Sequence, residues 1–462
     1  MNRSFFKAIY LIAGMNWLAG CSLSPSQHHA PPINVPEQWQ MGDVSLIDGK
    51  NLPYLAWWKK FQDPELDHLI ETGLQVNNTV QQARAKLLVA KEELRSVQLS
   101  WLPSLNILAG YSLNPAFGVP GGLYGVYPGY FTFNALMTIA RQKSAKIGIQ
   151  ARQYALQSTK LVFIGQIAEA YFIYIAEIER LRLFEQYLKD LQELLSIQKD
   201  NYRGGIESLL PFASLKQITE EAGAQKEVIK DNIIKAQNAL RYLLNENPGG
   251  LRVNKHFGHM QTTYPTFGTL PATVLANRPD IAFAESQYRW AVQQISVERA
   301  TLLPTIQLDE LLGGAARYQQ HNLDQFSQLF TDAYATWSID PAVFGEISAL
   351  RGEAKAAYYS YVDTVRKALR DVANDFSAHQ TANARYLDLK RSKKAVEERY
   401  HLDNALYKQG IQPYEIILKD RIDLAQVALA INAIKLTQMI SLVNLYQDLG
   451  GGYCHQQENQ TT

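Results

Sequence analysis

Chemistry needs reactive side chains that the fold can bring together, and this 462-residue chain offers few. Its two cysteines, Cys21 and Cys454, sit at opposite ends, and its nine histidines include one adjacent pair, His28-His29. Two neighbouring imidazoles without further ligands read as part of a solvated linker, so no metal site is expected. Asp and Glu are frequent, but they lie along amphipathic helical patterns where charge runs form solvated faces. No Gly-rich phosphate loop, paired-Cys motif, His-Glu-x-x-His or Gly-x-Ser-x-Gly occurs. The chain is not expected to be an enzyme or to hold a cofactor. A formal charge of +1 with no basic cluster gives no reason to expect nucleic acid.

One cysteine does have a chemical context. Arg3 and Lys7 precede an apolar run from Ala8 to Ala19, too short for a permanent span and shaped like a secretory signal. Leu18-Ala19-Gly20-Cys21 then resembles a bacterial lipobox. That resemblance implies that Cys21 becomes the acylated first residue, and Ser22 beside it fits passage to the outer membrane. Cys454 is left without a disulfide partner and reads as a free thiol near a flexible end. From Ser22 to about Pro53 the chain is rich in Pro, Ser, Gln and His and reads as an extended arm.

The elements beyond the arm are written twice. Asn77 to Ile107 and Leu275 to Leu308 align on Leu102-Pro103 and Leu303-Pro304, with Ala83 matching Ala284 and Ala90 matching Ala291. A polar start opens each helix, Asn77-Asn78-Thr79 or Asn277-Arg278-Pro279-Asp280, and each stops at its Leu-Pro, because proline disfavours helical geometry in the residue before it. A second echo matches Tyr202-Arg203-Gly204-Gly205-Ile206 with Tyr407-Lys408-Gln409-Gly410-Ile411, each between two long helical patterns. Gly205 and Gly410 are therefore expected at inter-helix turns.

After Pro103 the period drops to two. Leu105, Ile107, Ala109, Tyr111 and Leu113 alternate with more polar residues, and so do Phe131, Phe133, Ala135 and Met137, which predicts a hairpin over about 104–138 with Asn114–Gly129 as its loop. The counterpart at about 305–340 is less regular, with Asp309-Glu310 interrupting its first strand and His321-Asn322-Leu323-Asp324 in its loop. Such hairpins are marginal alone in water but can sit in lipid once closed into a barrel. Helices from about Ile139 to Asp200 and around Leu350 to Val372 carry a narrow seam in steps of three and four, the pattern of coiled-coil packing. About 60 residues at 1.5 Å each span roughly 90 Å, so a long rod or tube is expected.

These features resemble the TolC-like outer-membrane efflux proteins, in the lipoprotein branch that serves RND-type pumps. The specific carriers are the lipobox at Cys21, LPATVLANRPDIAFAE from Leu270 to Glu285, the repeated Leu-Pro, and LVNLYQDLGGGY from Leu442 to Tyr453. The resemblance implies a mainly α fold with a transmembrane β-barrel portion, a trimeric duct with long periplasmic coiled-coil helices built from a duplicated helix-hairpin-helix unit. It implies a homotrimer in outer-membrane lipid that conducts small molecules passively, with a periplasmic adaptor protein and an inner-membrane RND pump as partners. The competing expectation is a periplasmic lipoprotein scaffold without a pore.

The expected layout is a signal peptide at 1–20, a lipidated arm at 21–62, repeats at 63–250 and 273–453, an equatorial connection at 251–272 and a disordered tail at 454–462. The family carries an acidic residue that narrows its closed periplasmic entrance, just after the second turn. Here Tyr414, Glu415, Lys419 and Asp420 are the candidates, with Lys419 standing at the acidic position. The expectation is that a Lys419 ion pair between protomers holds the entrance closed.

Overall fold

The computed structural model describes residues 33, 53–102, 105–112, 121–128, 131–251, 257, 260, 276–319, 322–337 and 340–454. Cys21, the signal segment, His28-His29, most of the 251–272 connection and the last eight residues lie outside them.

A short 3₁₀ turn at Trp57–Phe61 leads into α1 (Pro64–Val76) and α2 (Asn78–Leu99). Strands β1 (Leu105–Ser112), β2 (Gly121–Pro128) and β3 (Phe131–Phe133) precede α3 (Ala135–Arg203) and α4 (Leu209–Leu243). The order then repeats: α5 (Pro279–Thr301), β4 (Thr305–Gln319), β5 (Asn322–Thr336), α6 (Ala342–Lys408) and α7 (Tyr414–Asp448). At 69 residues α3 is roughly 100 Å long at 1.5 Å per residue. The chain divides into two compact units, each drawing on both halves of the sequence.

The first unit contains Ala85–Tyr154 and Asp280–Thr364 and holds the sheet. All pairings are antiparallel: β1 with β2, β2 and β3 with β4, and β4 with β5 along its full length. Because Val126 of β2 pairs with Leu312 of β4 and Phe131 of β3 pairs with Leu308 of the same strand, β2 and β3 lie end to end along β4, and five strands occupy four positions. The outer positions are β1 and β5. Among described side chains, Ile107, Ile306, Tyr334 and Trp337 are exposed. Where α3 begins, buried Asn134 accepts from the Met137 N–H (3.0 Å) and donates to the Ala300 carbonyl of α5 (2.9 Å). Gln293 and Gln294 of α5 add bonds to the Ala140 carbonyl and Ser144 hydroxyl.

Three expectations are corrected here. The second strand of the first hairpin is β2, inside the supposed loop at 114–129. Gly121, Gly122 and Gly125 weaken an isolated strand, but β1 and β4 supply ladder bonds on both sides. Ala135 and Met137 are helical and not in a strand, since the Asn134 cap and the helix formers after it outweigh the short alternation. Asp309-Glu310 does not break β4, whose register runs on through Asp309↔Asp332 and Glu310↔Thr331, and Asn322–Asp324 belong to β5.

The second unit, with described residues in 53–84, Ala155–Pro279 and 365–454, is helical. Asp63 caps α1 ahead of Pro64, and Asn77 caps α2 while donating to the Leu243 carbonyl at the end of α4 (2.9 Å). Trp57 and Trp58 are fully buried, with Trp57 stacked on Tyr446 of α7 at 5.2 Å and Phe61 edge-on to Phe172 of α3. The seam positions Leu161, Ala168, Phe172 and Ile175 of α3, and Val365, Ala368 and Val372 of α6, are buried as their spacing predicts. Cys454 corrects the expected loose tail, because its N–H bonds the Pro53 carbonyl at 2.9 Å.

Candidate functional site

The second unit contains both inter-helix turns. Each helix before a turn ends in the same way. Ile206 N–H reaches the Asn201 carbonyl and Gly205 N–H the Tyr202 carbonyl; Ile411 and Gly410 do the same with Leu406 and Tyr407. This double closure needs a left-handed residue, and Gly205 and Gly410 have φ of +70° and +76°. Both glycines stand where the spacing placed them.

An apolar core ties the helices beyond the turns: Leu191 and Leu194 of α3, Ile229 of α4, and Leu418 and Ile422 of α7. Around it the start of α7 is clasped by polar contacts on two sides. Towards α3, the Tyr414 hydroxyl donates to Glu193 at 3.0 Å, Glu415 accepts from Asn201 at 2.6 Å, and Arg421 pairs with Asp190. Asp190 is almost wholly buried and also accepts from Gln186 at 3.0 Å. Towards α6, Arg399 donates to Asp420 at 2.7 Å and also pairs with Asp423.

Burial pushes the Asp420 carboxyl up, and the Arg399 guanidinium opposes that rise. The Tyr414 phenol is likewise raised, by burial and by Glu193. Of the four residues singled out after the second turn, Tyr414, Glu415 and Asp420 are thus engaged within the chain, while Lys419 is exposed. The residues that hold this arrangement, Asp190, Arg399 and Arg421, carry no motif. They were not legible because their partners lie on other helices, as far as 231 positions away in the case of Asp190 and Arg421.

Among the described residues, these contacts join helices to one another. The fold is a set of long helices with tight turns in one unit and an open antiparallel sheet in the other. Residues 270–451 match the family model described as outer membrane efflux protein. Over that stretch the chain is similar to the outer membrane efflux proteins. It is 25% identical over 478 positions to the antibiotic efflux pump outer membrane protein ArpC of Pseudomonas putida, covering 96% of this chain and 95% of the relative. It is 22% identical to the probable outer membrane lipoprotein SilC of Salmonella typhimurium, covering 94% and 96%. In fold it matches the open-state MtrE outer membrane channel of Neisseria gonorrhoeae, with a TM-score of 0.80, 22% identity, and 93% and 98% of the two chains covered. The long helices, the sheet and the paired turns are the elements of the TolC-like outer membrane channel fold.

Proposed function

We propose that the protein is the outer-membrane channel of a tripartite efflux system, conducting passively what an inner-membrane pump expels. The observation that carries this reading is an open four-position sheet in a chain otherwise built of long helices and similar along nearly its whole length to an efflux pump outer membrane protein. A sheet with two free edges is unstable in lipid, where unpaired N–H and C=O groups find no water, so it must close. Four strands are too few, whereas three chains supply about twelve. A homotrimer follows, embedded in outer-membrane lipid and reaching into the periplasm, with a periplasmic adaptor protein and an RND-type pump as partners. Nothing favours a scaffold without a pore.

Within this reading Cys21 is the acylated N-terminus. Residues 1–20 are its signal, 21–62 the lipidated arm, 63–250 and 273–453 the two repeats, 251–272 their connection and 454–462 the tail. The name of the SilC relative, a probable lipoprotein, supports acylation. Radiolabelled fatty acid should enter the wild type and not Cys21→Ser; equal labelling would remove the anchor from this account.

At the second turn, Lys419 is the exposed candidate for a contact between protomers, since Glu415 and Asp420 already have partners within the chain. Conductance in a planar bilayer tests both points. The wild type should form discrete channels, and Lys419→Ala should raise their conductance. Protein that inserts without conducting would defeat the channel reading, and an unchanged Lys419→Ala would make Lys419 an ordinary surface charge.

A further inference from the structure

The end of α7 carries a cluster of charged groups that conduction does not use. Arg278, in the residue before α5, is 10% exposed at its side chain and its Nη1 donates twice to Asp448, to the backbone carbonyl at 2.9 Å and to Oδ1 at 3.1 Å. Beside this pair is a cavity of about 250 Å³ lined by Asp371, Asn374 and Asp375 of α6 and by Asn444, Gln447 and Asp448 of α7. The Asp375 and Asp448 carboxyls face this one cavity from two different helices. The Asp375 Oδ2 is buried, and no N–H or hydroxyl group among the described residues reaches it.

Two carboxylates are both acceptors, so they can share a hydrogen bond only if one of them carries a proton. Arg278 neutralises the charge of Asp448, which leaves the proton on Asp375. The charged groups facing Asp375 are Asp371 on its own helix, Asp448 on α7 and Arg278 ahead of α5. The other lining side chains, Asn374, Asn444 and Gln447, are uncharged.

This contact holds more than one helix end. Directly after Asp448, Gly450 (φ +77°) packs so closely on the Asn277 carbonyl that an added Cβ would lie 2.5 Å from its oxygen. The Tyr453 hydroxyl donates to the same carbonyl at 3.0 Å. Gly452 lies against Trp57 and Trp58, and the Cys454 N–H bonds Pro53. The segment 449–454 therefore straps the buried Trp57-Trp58 turn, at the base of the N-terminal arm, to the ends of α7 and the start of α5.

We propose that Asp375, Asp448 and Arg278 form a proton-operated clasp: with the shared proton in place it holds the end of α7 and the 449–454 strap to α6, and loss of that proton loosens both. The direction in pH follows from linkage. Burial first, then the Asp448 carboxyl, pushes Asp375 from its ordinary value near 3.8 up to about 8. The folded protein thus binds a proton that the opened form releases between those values. The clasp is at full strength below pH 3.8, weakens as pH rises, and has lost its proton-dependent part once pH passes about 8.

Hydrogen–deuterium exchange of the whole protein in detergent, corrected for intrinsic amide rates, tests this at pH 6.0 and 9.0. Peptides covering 442–454 in the wild type should lose protection by about tenfold or more at the higher pH. Asp375→Asn, whose amide can donate to Asp448 at any pH, should keep the pH 6.0 protection at both values. Asp371→Asn removes one charge that favours the proton on Asp375, so its loss of protection should begin at lower pH and be smaller than in the wild type. Equal loss in the wild type and Asp375→Asn, or no loss in the wild type, would overturn the clasp. Because exchange is read without conduction, either result leaves the channel reading to its own test.

Discussion

The two inter-helix turns share a backbone and differ in the ion pairs that hold the helix after it. Gly205 and Gly410 close their helices with the same pair of bonds at nearly the same φ. After the first turn, Leu209 and Leu210 at the start of α4 are exposed. After the second, α7 is gripped by Arg421–Asp190 on one side and Arg399–Asp420 on the other. Duplication thus kept what the backbone requires and let the side chains diverge. A left-handed glycine has few substitutes, whereas a helix start can be held by ions or left free.

Breaking the grip should show the largest effect. Arg421→Ala leaves the buried Asp190 carboxylate with Gln186 alone, at a cost of about 3 kcal/mol or more, because an unpaired buried charge is not rehydrated. Amide exchange across the first turns of α7 should rise about a hundredfold or more, and α4 should change far less. Replacing both partners by leucine should recover much of the loss.

The shared part predicts equal effects at the two turns. Gly205→Ala and Gly410→Ala should each cost about 1–2 kcal/mol, the penalty of a left-handed non-glycine residue. An added Cβ meets nothing within 4 Å at either site, so the cost is purely conformational. Thermal unfolding midpoints of the two variants should therefore fall together; a fall confined to Gly410→Ala would mean that the ion pairs at the start of α7, not the turn, set stability.

The smallest effect belongs to the free side. Leu210→Ser should change stability by no more than about 0.5 kcal/mol, since Leu210 is 74% exposed. A larger loss, seen only in the assembled protein, would place Leu210 against another chain.

The same contrast explains what the sequence made legible. Helix ends at Leu-Pro, the Asn77 cap, the two glycine turns and the α3 seam obey rules that act within a few residues, and these stand out in one chain. The strand at Gly121–Pro128 does not, because glycines and a proline look like a loop until β1 and β4 flank them. Asn134 was hidden because Phe131, Phe133, Ala135 and Met137 alternate across it, and only the bond it accepts from the Met137 N–H shows the helix starting there. The ion pairs around α7 could not be read at all, since charge on a long helix looks solvated until its neighbour is known. Tyr414, Glu415, Lys419 and Asp420 were found by likeness to a family; which of them remains exposed is a property of packing.

The central claim is that one chain supplies a third of a wall of strands that only further copies can close. The mass of the purified protein in detergent, by light scattering with the detergent contribution subtracted, tests it directly. The account predicts a particle of three chains. A stable single chain that needs no detergent would contradict it.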